Sequence, residues 1–163
     1  MIDLRSFSTL WYWIVLAILW SGLTQWVLGV PYHIVQRALR GDPDSAREAR
    51  LLVEINARRI LDGARTSGVV MAAAAGFAIS TGVVLGWVYR IEFAQALVLL
   101  IVPIIGVGAL SLRTARRLRD SGFDGLEAQL RRHRQVVMAF AIVSIFLTAF
   151  WGMSVNASFS ALR

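Results

Sequence analysis

The chain has 163 residues, no cysteine, and a net charge of +7 from 17 basic and 10 acidic residues. Hydrophobic residues make up 57% and charged residues 17%, whereas soluble domains average about 45–50% and about 25%. This composition indicates a membrane protein. It excludes a disulfide scaffold, a cysteine-based metal centre and a thiol nucleophile. Every basic residue is arginine, so a P-loop lysine and a Schiff-base lysine are excluded as well.

Four apolar stretches are long enough to cross a bilayer, which takes about 20 residues. They cover about residues 10–30, 68–88, 93–112 and 136–155. The first stretch carries four tryptophans and no Ala-x-Ala cleavage site, so we interpret it as a retained helix and not as a signal peptide. We therefore predict an all-α, polytopic membrane protein, a single domain over residues 1–163 with four transmembrane helices in an up-down bundle.

The distribution of arginine predicts the orientation. The segments at residues 31–67 and 113–135 hold seven arginines each, and the other side holds only Arg5, Arg90 and Arg163. Because arginine-rich loops stay on the cytoplasmic side, both segments are predicted to be cytoplasmic and both termini to lie on the outer side of the membrane. Only a few residues join the second and third spans, so these helices are predicted to form an antiparallel hairpin.

Both cytoplasmic segments are predicted to extend the bundle as helices. A short helix is predicted over residues 32–40. Asp42 can cap a second helix whose first residue is Pro43, and this helix can run without a break into the second span. The third span is predicted to continue past Arg113, and a turn at residues 120–125 then leads into a helix that enters the fourth span.

The arginines of these segments are predicted to contact anionic lipid headgroups or an acidic partner, because guanidinium groups bind phosphate and carboxylate strongly. The candidates are Arg37, Arg40, Arg58, Arg59, Arg116, Arg117, Arg131, Arg132 and Arg134. The sequence holds no nucleic-acid recognition motif, so the positive charge is assigned to the membrane and not to nucleic acid.

Small residues four positions apart in the second span predict close helix packing. Gly76 pairs with Ser80, and Gly82 pairs with Gly86, on faces of one helix. The helix that packs there can belong to this chain or to another integral membrane subunit.

Polar residues inside the spans leave a small transporter or channel as the alternative function. Thr24, Gln25, Gln95 and Ser144 could line a polar path, with Pro103 as a hinge in the third span. Coupled proton transport usually uses charged residues within the spans, and none of the four spans contains one.

Two histidines offer a third hypothesis. His33 and His133 are both predicted at the cytoplasmic interface, where they could ligate haem or a metal ion. No carboxylate is spaced to complete such a site, and no HExxH or GxSxG motif is present. We therefore predict a protein that is not an enzyme and that needs no cofactor.

Six strings along the chain resemble a known family. They are residues 5–14 (RSFSTLWYWI), 26–32 (WVLGVPY), 92–96 (EFAQA), 111–117 (SLRTARR), 131–134 (RRHR) and 148–153 (TAFWGM). Together they resemble small four-helix inner-membrane proteins of alphaproteobacteria, sometimes labelled "component of SufBCD complex". The resemblance implies a bacterial inner membrane, in which both termini would be periplasmic, and a link to iron–sulfur cluster assembly. A chain without cysteine would serve there by docking or anchoring, not by holding a cluster.

The sequence as a whole favours a non-catalytic subunit or accessory factor of a larger inner-membrane complex, with an energy-transducing complex as one candidate. The predicted partners are anionic membrane lipids and other integral membrane subunits. The uncharged spans, the small-residue faces of the second span and the basic cytoplasmic segments carry this interpretation together.

Overall fold

The structure is a computed structural model that describes residues 10–160. It confirms the all-α prediction, apart from one short strand pair within the described range. The elements in chain order are α1 (Leu10–Gln25), β1 (Trp26–Val27), β2 (Val30–Pro31), α2 (Tyr32–Leu39), α3 (Pro43–Val83), a π turn (Val84–Val88), α4 (Glu92–Asp120) and α5 (Leu126–Ser160).

Three helical segments are long and apolar enough to cross a membrane. They are α3 with its π turn (Pro43–Val88), α4 (Glu92–Asp120) and the Leu126–Val155 part of α5. Helix α1 is apolar too, but it has 16 residues, whereas a perpendicular span takes about 20. The membrane character is therefore supported by three helices, and the first of the four spans stays a prediction.

Helix α1 ends at Gln25, earlier than the predicted span, because the chain turns back on itself there. Strand β1 pairs with β2 in antiparallel register, with Val27 opposite Val30. Leu28 (φ 51°) and Gly29 (φ 77°) form the turn, and two consecutive positive φ angles are typical of type I′ hairpins. Leucine rarely adopts this conformation, and burial of its side chain in the core holds it there.

Helix α3 begins and continues as the sequence predicts. Asp42 caps it, because one carboxylate oxygen accepts the Asp44 N–H at 3.2 Å and the other accepts the Ser45 hydroxyl at 2.6 Å. Pro43 occupies the first turn, where its missing N–H costs nothing. The helix then runs for 41 residues without interruption.

The connection from α3 to α4 is tighter than an ordinary loop. The helix widens into the π turn, in which the Tyr89 N–H donates to the Val84 carbonyl at 3.2 Å. Arg90 has a φ of 56° and reverses the chain direction, and α4 then begins at Glu92. The predicted hairpin between the second and third spans is present in this form.

The larger of two apolar cores lies at the arginine-rich end of the molecule, which we call the basic end. Five segments pack together there: the β1–β2 hairpin, α2, the first half of α3, the last turns of α4 and the first turns of α5. The buried residues of this core are Val27, Leu28, Val30, Val35, Val53, Ala57, Leu61, Ala115, Leu118 and Leu130. The predicted helical extensions thus pack into one compact layer with its own buried core.

The second core joins α1, α4 and α5 within their apolar stretches. Leu16 and Trp20 of α1 pack with Val107 of α4 and with Val137 and Ala141 of α5. Helix α3 contributes no buried residue to this cluster. The apolar part of the described chain is therefore a packed group of three helices with α3 beside it.

Candidate interaction surfaces

The apolar half of α3 lies largely outside the packed group. Only 6% of its most apolar 18-residue window is buried, against 28% for the corresponding windows of α4 and α5. Val69 and Phe77 are 85% and 74% exposed, respectively. This stretch is a free helical surface with respect to the described part of the chain.

The four small residues of this helix divide into two groups. A Cβ atom at Gly82 would collide with the Val98 side chain, and one at Gly86 would lie 3.0 Å from Gln95 Cγ. A Cβ atom at Gly76 would meet nothing within 4 Å, and Ser80 is exposed. Gly82 and Gly86 therefore bring α3 against α4, whereas Gly76 and Ser80 contact no other described helix.

The two groups face different directions. Six residues separate Gly76 from Gly82, and at about 100° per residue they lie about 120° apart around the helix. The Ser80 hydroxyl donates to the Gly76 carbonyl at 2.7 Å, within its own helix. Its hydrogen bond is thus satisfied without help from a neighbour, and the surface around Gly76 is smooth and apolar.

Gln95 joins the π turn, α4 and α5 at the opposite end of the molecule from the basic end. Its side-chain amide donates to the Gly86 carbonyl of the π turn at 2.7 Å, and its oxygen accepts the Trp151 indole N–H at 3.1 Å. Gln95 is 8% exposed. Its polar atoms therefore hold the α3–α4 connection to α5, whereas the sequence indicated Gln95 only as a residue that could line a polar path.

The remaining polar residues of the transporter alternative lie apart from Gln95. The Thr24 hydroxyl donates to the Trp20 carbonyl at 2.8 Å, and Gln25 is exposed next to the basic end. The Ser144 hydroxyl is fully buried without a partner, beside an apolar groove of about 440 Å³ that includes Pro103. The structure does not bring these side chains together into one polar path.

The predicted arginine contacts fall into two classes. Arg58 pairs with Glu54 at 2.6 Å. The Arg134 guanidinium stacks over the Tyr32 ring at 3.6 Å, which ties α5 to α2. The other predicted contacts are exposed at the basic end; they are Arg37, Arg40, Arg59, Arg116, Arg117, Arg131 and Arg132.

The two histidines lie in different surroundings. His33 is exposed on α2, whereas His133 on α5 is 5% exposed and contacts the Thr114 hydroxyl of α4 at 3.0 Å. Burial lowers the pKa of His133 below its ordinary value. Within residues 10–160, no three His, Cys, Asp or Glu side chains form a group that could hold a metal ion. The contact between His133 and Thr114 has no signal in the sequence, since it joins residues of separate helices.

Compared with known proteins, the chain matches no family model, no curated protein and no solved structure. Its function is therefore inferred from the surfaces described above.

Proposed function

We propose that the chain is a non-catalytic integral subunit or accessory factor of a larger membrane-protein complex in a bacterial inner membrane. In this proposal it crosses the membrane four times as an up-down bundle, with both arginine-rich segments in the cytoplasm and both termini in the periplasm. The observation that carries the proposal is the free apolar surface of α3.

A helix in a self-contained bundle buries one face against its neighbours. The apolar half of α3 approaches α4 closely near the π turn, through Gly82 and Gly86, whereas Val69, Phe77 and most of its other residues are exposed. Lipid could cover the rest, but Ala72, Ala73, Gly76 and Ser80 lie on this side of the helix and give the surface little side-chain bulk. Small residues of this kind let the backbone of a second helix approach closely in a membrane. The surface therefore fits a transmembrane helix of a partner subunit.

The test is co-purification from native membranes in a mild detergent, with a C-terminal tag. The paired change Gly76→Leu with Ser80→Leu adds bulk to the free surface. The control, Ala74→Leu with Ala78→Leu, adds the same bulk on the opposite side of the helix, where both alanines are also exposed. We expect a stoichiometric partner with the parent chain and the control, and its loss with the Gly76 and Ser80 pair.

Thermal unfolding of each variant separates this result from misfolding, because none of the four positions is buried within the chain. Equal midpoints with selective loss of the partner would support the proposal. Retention of the partner by both pairs of variants would refute the role of this surface. A parent chain that purifies without any stoichiometric partner would refute the subunit role, and substrate flux in liposomes would then test the transporter alternative.

The orientation can be tested separately, since the chain has no cysteine of its own. Arg40→Cys places a single thiol at the basic end, and Tyr89→Cys places one beside the π turn; both positions are exposed. A membrane-impermeant maleimide added to intact spheroplasts should label Tyr89→Cys and leave Arg40→Cys unlabelled. The reverse pattern would overturn the proposed orientation.

A further inference from the structure

A groove of about 370 Å³ between α4 and α5 differs from the other basic grooves in its charge. Arg113 and Arg117 of α4 and Arg132 of α5 line it, together with Thr114 and His133. No acidic residue lines it. Three other arginine-lined grooves at the basic end each include a carboxylate; these are Glu127, Asp62 and Asp120, one in each groove. The groove between α4 and α5 therefore concentrates positive charge without internal compensation.

These three arginines form no ion pair with any residue in the described part of the chain. The ion pairs within the described residues join Arg47 to Asp44 and Arg58 to Glu54, and none involves Arg113, Arg117 or Arg132. All three are exposed. Their guanidinium groups are thus available to an anion from outside the chain, and guanidinium recognises phosphate through paired hydrogen bonds.

The floor of the groove is formed by two buried side chains, Thr114 and His133, which are hydrogen-bonded to each other. The Thr114 hydroxyl donates to the Leu110 carbonyl at 2.9 Å, so its oxygen is left to accept from His133 Nδ1 at 3.0 Å. A single hydroxyl proton cannot serve both neighbours, and the proton between the two side chains therefore belongs to the imidazole.

The groove lies where the apolar stretches of α4 and α5 end. Leu110 and Val136 belong to the groove and to the ends of these stretches, whereas Arg113 is the first charged residue after the α4 stretch. An apolar rim beside a cluster of guanidinium groups matches a molecule with an acyl region and a phosphate. A freely soluble phosphate has no apolar group that could contact Leu110 and Val136.

We infer that the groove between α4 and α5 is a binding site for the phosphate headgroup of an anionic phospholipid. Arg113, Arg117 and Arg132 contact the phosphate, and the Thr114–His133 pair forms the floor. This site is formed by α4 and α5, whereas the free surface of the proposed subunit role is formed by α3. The inference therefore goes beyond the subunit role and does not depend on it. Basic pockets between transmembrane helices bind such headgroups on the cytoplasmic side of membranes.

The experiment measures binding of short-chain phosphatidylglycerol to the delipidated full-length protein in a zwitterionic detergent, by native mass spectrometry. Arg113→Gln with Arg117→Gln removes two charges from the groove. Arg47→Gln with Arg65→Gln removes two exposed charges of α3 elsewhere on the basic end, and so keeps the net charge equal. We expect the groove pair to raise the dissociation constant at least about tenfold, equivalent to about 1.4 kcal/mol, and the control pair to change it less than about twofold, below about 0.5 kcal/mol.

Two further arms make the result decisive. Phosphatidylcholine, titrated in the same way, should bind no more tightly to the parent chain than to the Arg113→Gln, Arg117→Gln variant. If that double variant fails to fold, Arg132→Gln alone should weaken phosphatidylglycerol binding. Equal weakening by the groove and control pairs would overturn the inference, because it would show diffuse attraction to charge. Competition by inorganic phosphate at concentrations equal to the lipid would also overturn it, because the ligand would then be a soluble anion.

Discussion

The contact between Gly82 and Val98 predicts how closely α3 and α4 must approach each other. In Gly82→Ala, the added Cβ would overlap a methyl group of Val98. Val98 is β-branched, and its χ1 angle has one strongly preferred value in a helix, so its methyl group cannot swing away cheaply. Overpacking of this kind typically costs about 1–3 kcal/mol of folding free energy.

Gly76→Ala supplies the matched control, because a Cβ there meets nothing within 4 Å. Replacing glycine with alanine in a helix also brings a gain of up to about 1 kcal/mol from helix propensity. Both variants receive this gain, so it cancels in the difference between them. We therefore expect Gly82→Ala to be less stable than Gly76→Ala by about 1–3 kcal/mol, the steric cost alone.

Reversible unfolding in mixed micelles, followed by circular dichroism, measures the two free energies. The same measurement on Val98→Ala and on the double variant completes a cycle. Removing the Val98 methyl groups should relieve the overlap, which gives a coupling of at least about 0.5 kcal/mol. Equal stability of Gly82→Ala and Gly76→Ala, or the absence of coupling with Val98→Ala, would refute the close approach of the two helices.

Three further predictions concern single side chains. Gln95→Leu leaves the Gly86 carbonyl and the Trp151 indole N–H without partners, and at about 0.6–1.7 kcal/mol for each hydrogen bond in a membrane it should destabilise by about 1–3 kcal/mol; unchanged unfolding in mixed micelles would contradict this. Burial lowers the pKa of His133, so the unfolded chain takes up a proton first as the pH falls below about 6.5, and the thermal midpoint should drop there in the parent but less in His133→Gln. The Ser45 hydroxyl lowers the pKa of Asp42, so the stability contributed by this cap is present above pH 3.8 and is lost as the pH falls through the lower folded pKa. Asp42→Ala should therefore lower the thermal midpoint at neutral pH, and a variant that unfolds at the parent temperature would show that the cap adds nothing.

Local sequence signals predicted those parts of the fold that depend on neighbouring residues. Asp42 before Pro43 marked the start of α3, and the glycines after Asp120 marked the end of α4. These signals act through backbone conformation and capping, which a few adjacent residues decide. The bounds of both helices at these points agree with the predictions.

Features that depend on distant residues could not be predicted in this way. The π turn is held partly by Gln95 of α4, whose side-chain amide donates to the Gly86 carbonyl. The hairpin at Leu28 packs into a core built from four helices. The unequal roles of Gly76 and Gly82 likewise follow from the position of α4, which lies against Gly82 and not against Gly76. In the sequence, both glycines belong to the same pattern of small residues on one helix.

The unbroken length of α3 has a mechanical consequence. At about 1.5 Å per residue its 41 residues extend for about 60 Å, and one half is clamped in the core of the basic end while the other half stands beside the bundle. A rigid rod held in this manner acts as a lever. A tilt of about 5° at the edge of that core would move the far end of the free half, about 30 Å away, by about 3 Å. A force applied to the free half would therefore act on the core of the basic end through one continuous helix.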